Sequence, residues 1–109
     1  MAASDPDPKA ASMLYKILLP TEADALPSSN WLGTQLDQAD GFLHTSSVHQ
    51  LALTLQRFFK NVDEVRIYAL PVERIGEGKL KWDVISSGEV FGHVYGCVVA
   101  LILLHWNAR

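Results

Sequence analysis

The sequence has a single cysteine, no cluster of basic residues and no apolar run long enough to cross a membrane. Each absence removes a class of protein. Cys97 has no partner for an internal disulfide, so the fold must rest on its core. Within Cys97-Val98-Val99 the thiol reads as a small buried hydrophobe, because nothing adjacent would stabilise a thiolate. A reducing, cytoplasmic setting fits this usage. The longest apolar run covers residues 97–104, well short of the roughly 20 residues a spanning helix needs. The N-terminal stretch MAASDPDPKAAS lacks the apolar core of a signal peptide. Nine Lys and Arg are scattered among twelve Asp and Glu, for a net charge of −3. That balance disfavours a nucleic-acid backbone as partner. There is no glycine-rich phosphate loop. His44 and His49 lack the usual helical ligand spacing, and the one cysteine is in the apolar run, so no metal is expected.

What is present suits one soluble domain. The chain has 109 residues, 49% of them apolar, and a domain of this size buries about two thirds of its unfolded surface. Asp5-Pro6-Asp7-Pro8 opposes regular structure, and residues 1–12 read as a disordered tail. The domain is expected over 13–109. Residues 14–19 (LYKILL) form a strand pattern closed by Pro20. Residues 20–39 read as a loop carrying Trp31, Leu32 and Leu36, with a short helix over 30–38 as one option. Residues 41–45 suit a short strand. Ser47 and Gln50 then have capping-box spacing. Val48, Leu51, Ala52, Leu55, Phe58 and Phe59 follow at helical intervals, predicting an apolar face that ends near Asn61. Strand patterns recur at 65–70, 80–85 and 90–95, and the apolar run from 97 to 106 reads as a buried strand. The expected class is α+β: a small, mostly antiparallel β-core, curled or split into two sheets, with one main helix.

Two segments carry candidate chemistry. In Gly41-Phe42-Leu43-His44-Thr45-Ser46, a strand would put Phe42 and His44 on one face. A neutral imidazole donates from one nitrogen and accepts at the other, which suits a ribose hydroxyl or a carboxamide. The Thr45 and Ser46 hydroxyls stand beside it, and free N–H groups at a helix start favour phosphate. A satisfied structural histidine explains His44 equally well. In Phe91-Gly92-His93-Val94-Tyr95-Gly96, His93 and Tyr95 share a face, and the glycines mark either close approach of a ligand or bulges. Asp83 in Lys81-Trp82-Asp83 is a carboxylate suited to acid–base or electrostatic work, or an exposed residue paired with a cation.

With these segments in hand, the sequence resembles the domain-of-unknown-function family numbered 952 over residues 14–104. The carriers are Tyr15-Lys16-Ile17, Trp31, Asp40-Gly41-Phe42-Leu43-His44-Thr45-Ser46, Gln50, Thr54, Phe58-Phe59, Lys81-Trp82-Asp83 and Phe91-Gly92-His93-Val94-Tyr95-Gly96. The family is thought similar in fold to the ADP-ribosyltransferases, including the RNA 2′-phosphotransferases. The resemblance implies a split β-core whose cleft holds NAD. It places His44 against the ribose, His93 on a later strand and Tyr95 along the same cleft. If the protein is an enzyme, it implies His44, His93 and Asp83 as catalytic residues. Phe42, Thr45, Ser46 and Tyr95 are the expected nucleotide-binding residues, with or without catalysis. Asp83 stands where relatives usually carry Glu, and Gly92 where they carry Pro. The glutamate of many ADP-ribosyltransferases has no clear counterpart. A non-catalytic ligand- or peptide-binding module on the same fold is the competing expectation, and a scaffold with two structural histidines is a third.

Overall fold

The computed structural model describes residues 7–99 and the backbone of residues 104–105. The first strand, β1 (Met13–Leu18), forms where expected. Pro20 does more than close it. Pro20 is the first residue of a short helix, α1 (Pro20–Asp24), whose Glu22 carboxylate accepts from the Leu19 amide at 2.8 Å. Proline suits that position because its missing N–H would be unpaired there anyway. The option of a helix over 30–38 resolves into two elements, β2 (Asn30–Trp31) and α2 (Gln35–Asp40). Thr34 caps α2 by accepting from the Asp37 amide at 3.2 Å, and Asp37 returns the bond from the Thr34 amide at 2.9 Å. Gly41 ends the helix with φ 89°, a left-handed conformation that glycine adopts without strain.

β3 (Leu43–His44) is short. The main helix, α3 (Leu51–Phe58), starts later than Ser47. Residues 48–50 form a turn instead, and the Ser47 amide donates to the Gln50 side chain at 3.0 Å. The expected apolar face is only partly used. Leu51 is buried, but Val48 and Phe58 are exposed. The polar residues do the docking. The Gln50 amide donates to the Val90 carbonyl at 2.7 Å, and Arg57 pairs with Glu89 at 2.7 Å. The remaining strands are β4 (Arg66–Pro71), β5 (Leu80–Val84), β6 (Val90–Val94), β7 (Val98–Val99) and β8 (Leu104–His105). Of the long terminal strand expected over 97–106, residues 100–103 and 106 lie outside the described residues, as does the side chain of His105. So do residues 1–6 of the expected tail. Its described part, residues 7–12, instead contains a 3-10 turn at Pro8–Ala10, and the Ser12 carbonyl accepts from the Val72 amide at 3.0 Å.

Among the described residues the strands form three antiparallel groups, β1-β4-β8, β2-β7 and β3-β6-β5, where two sheets were expected. Tyr15 and Ser46 exchange both backbone bonds, at 2.7 and 2.9 Å, and so join β1 to the exit of β3. This is a small α+β domain with few helices. Leu14, Leu43, Leu70, Ile75, Val94 and Val98 make the core, flanked by Trp31 and Trp82. Gly92 lies on the core side of β6. A Cβ there would come within 3.1 to 3.2 Å of Leu14, Thr45 and Trp82. Its glycine makes room for packing.

Candidate functional site

Strand pairing brings the two histidine segments together. In the antiparallel β3–β6 ladder His44 lies directly opposite His93, and Lys81 of β5 lies opposite His93 on the other side. Paired residues project to the same face of a sheet, as do residues two apart on one strand. The face therefore carries Phe42, His44, His93, Tyr95, Lys81 and Asp83. Leu43, Val94 and Trp82 point the other way, into or against the core.

The rings form one cluster. The His44 and His93 centroids are 5.5 Å apart at 71°. Phe42 stacks on His93 at 4.0 Å and lies 4.8 Å from His44 and 5.3 Å from Tyr95. The Lys81 ammonium sits 5.2 Å from the Tyr95 ring centre. The two imidazoles differ in exposure. The His44 side chain is 36% exposed, while that of His93 is 8% exposed beneath Phe42.

Each imidazole is held by a carboxylate. His93 Nδ1 donates to Asp83 Oδ2 at 2.8 Å, and the Tyr95 hydroxyl donates to the same oxygen at 2.7 Å. An ionised carboxylate only accepts, so both bonds assign their protons. Together Tyr95 and His93 hold the Asp83 carboxyl below its ordinary value. Reciprocally, the Asp83 bond raises the Tyr95 phenol above its own.

His44 is held by Asp37, a residue that sequence reasoning did not single out. Asp37 Oδ1 accepts from His44 Nδ1 at 2.6 Å and from the His44 amide at 3.1 Å. The ammonium of the buried Lys16 lies 2.8 Å from Asp37 Oδ1 and 2.6 Å from Oδ2, and donates to the His44 carbonyl at 2.9 Å. Both side chains are almost wholly buried. Burial pushes the Asp37 carboxyl up, but the bonds from His44, Lys16 and the Thr34 amide outweigh it and leave the acid well below the usual range. Burial pulls the Lys16 ammonium down, opposed by Asp37. Gly33 makes the close approach of Asp37 possible. A Cβ at Gly33 would lie 2.5 Å from that of Asp37, and φ is 100°. A third carboxylate, Asp40 Oδ2, lies 2.9 Å from His44 Nε2. Lysine inside a strand pattern gave no sign of a buried charge. The Thr34–Asp37 capping spacing was the one available signal.

Of the expected site residues, His44, His93, Asp83, Phe42 and Tyr95 meet on one face. Thr45 and Ser46 do not join them. Thr45 is buried on the opposite side, and its hydroxyl donates to the Gly92 carbonyl at 2.6 Å. The buried Ser46 hydroxyl lies 2.9 Å from that of Thr54. Nor does the start of α3 present free N–H groups at Ser46 and Ser47, since the helix begins at Leu51. Among the described residues no group of three or more His, Cys, Asp or Glu side chains is arranged to hold a metal. No described helix is long and apolar enough to cross a membrane.

A family model described as "Protein of unknown function (DUF952)" matches residues 17–103, most of the chain. The chain belongs to the DUF952 family. It also resembles solved structures of protein CC0527 from Caulobacter crescentus. The crystal structure is 29% identical, with 89% of this chain and 88% of that one covered and a TM-score of 0.74. The solution NMR structure is 31% identical, with 85% and 80% covered and a TM-score of 0.71. No curated protein matches. The DUF952 chain described here therefore shares its α+β fold with CC0527.

Proposed function

We propose that this DUF952 protein binds NAD or a related ADP-ribose-containing nucleotide on the β3–β6 face. One observation carries the reading: two imidazoles from segments far apart in the sequence stand opposite each other, 5.5 Å between centroids, each fixed by a carboxylate. Such convergence of oriented polar groups beside aromatic surface is what a small-molecule site needs. Phe42 and Tyr95 supply stacking surface for a base or a nicotinamide ring. His44, the more exposed imidazole, meets the ribose or diphosphate, and the buried His93 supports Phe42 from beneath. The ADP-ribosyltransferase-like architecture implied by the sequence belongs to this same reading.

If the bound nucleotide is cleaved, the bond broken is that between nicotinamide and ribose, and Asp83 is the group placed to stabilise the developing positive charge. Asp83 already accepts from both His93 and Tyr95 on one oxygen. That engagement favours a second reading, ligand binding without turnover. Isothermal titration with NAD and ADP-ribose tests binding. Micromolar to millimolar affinity in the wild type, lost in a folded His44→Ala variant, is the expected result. Absence of heat at millimolar ligand would remove the proposal. Nicotinamide released during prolonged incubation separates turnover from binding alone.

A further inference from the structure

The surroundings of His44 contain a second carboxylate, Asp40, whose contact is with the imidazole. Asp40 is the last residue of α2 and half-exposed, with Oδ2 2.9 Å from His44 Nε2. A negative charge at a helix C-terminus works against the helix dipole. Asp40 is therefore not there to stabilise α2. Asp37, by contrast, is buried and tied to four groups. The buried carboxylate fixes one side of the imidazole, and the exposed one stands at the other.

We propose that the position in front of His44 Nε2 is an oxyanion subsite, filled by Asp40 in the free protein and by a phosphate oxygen of the ligand in the complex. For the identity of the ligand the inference rests on the nucleotide reading. Asp37 is the positioning residue. By accepting from Nδ1 it fixes that proton and aims Nε2 outward. The group that Nε2 meets in the free protein is a carboxylate oxygen, and a neutral hydroxyl is a poor replacement for it. An oxyanion is an equivalent one. The group taken up at His44 is then phosphate, and the ribose lies further along the face toward Tyr95. Binding requires Asp40 to swing into solvent, which its exposure and its place beside Gly41 permit.

The test combines ring-nitrogen NMR of His44 with titrations of inorganic phosphate, ADP-ribose and neutral ribose, in the wild type and in Asp40→Ala. Removing Asp40 should shift His44 Nε2 and leave Nδ1 in place in the free protein. It should also tighten phosphate or ADP-ribose by up to about fivefold, the size of one exposed ion pair, and leave ribose unchanged. Phosphate tightened while ADP-ribose gives no response would retain the subsite and remove the nucleotide reading. An Nε2 resonance unaffected by the substitution would overturn the subsite. So would affinity for both anions that is unchanged or weakened in Asp40→Ala, or ribose tightened as much as the anions.

Discussion

Asp37 concentrates more of the local energetics than any residue on the histidine face itself. It receives donors from Lys16, the Thr34 amide, the His44 amide and His44 Nδ1. Asp37→Asn leaves the Lys16 ammonium buried without its counter-charge, and breaking such a pair costs about 3–5 kcal/mol. Urea unfolding of the variant should show that loss. The pH dependence has a definite sign. A carboxyl held below its ordinary value adds stability that is present above the unfolded pKa of about 3.9 and is lost as pH falls through the folded one. The wild type should weaken on the acid side, and Asp37→Asn should flatten that slope. Tyr95 moves oppositely. Asp83 raises its phenol, so that contribution is present below pH about 10 and fades as pH rises through the folded value. Asp83→Asn should bring the Tyr95 ring-carbon titration, followed by NMR, back toward the ordinary range. His44 and His93 were legible in the sequence because polar residues stood at strand spacing beside glycine and aromatics. Asp37 and Lys16 were not, since a buried ion pair leaves no periodic trace.

At the scale of elements, glycines and caps decide more than apolar spacing does. Gly92→Ala puts a methyl group within 3.1 to 3.2 Å of Leu14, Thr45 and Trp82. Overpacking of that kind costs about 1–3 kcal/mol, readable as a lowered urea midpoint. Phe58→Ser on α3 should change stability by less than about 0.5 kcal/mol, because that ring is 72% exposed. The helical spacing of residues 48–59 announced a helix correctly and its buried face incorrectly. The docking of α3 runs through Gln50 and Arg57, whose bonds to the Val90 carbonyl and to Glu89 depend on tertiary neighbours no local pattern reveals. Strands β1, β4, β5 and β6 were readable from alternation and from the prolines and glycines that bound them. The break of residues 20–40 into α1, β2 and α2 was not, because its helices are only one or two turns long and are held by a few side-chain caps rather than by an apolar period.

At the scale of the molecule, the Tyr15–Ser46 bridge joins β1 to the exit of β3. It places Lys16 over Asp37 from one sheet while β6 delivers His93 from another. The histidine face is thus assembled by non-local pairing, and its register is what a sequence alone leaves open. Two hollows lie away from this face, one of about 480 Å³ beside Pro71 to Arg74 and one of about 360 Å³ beside Tyr15 and His49. A ligand that preferred either would place the chemistry away from the imidazoles. A residue-resolved NMR titration with ADP-ribose decides this directly. Saturable shifts centred on Phe42, His44, His93 and Tyr95 are expected. Shifts confined to the Pro71–Arg74 or Tyr15–His49 hollows, or no shifts at millimolar ligand, would contradict nucleotide binding on this face.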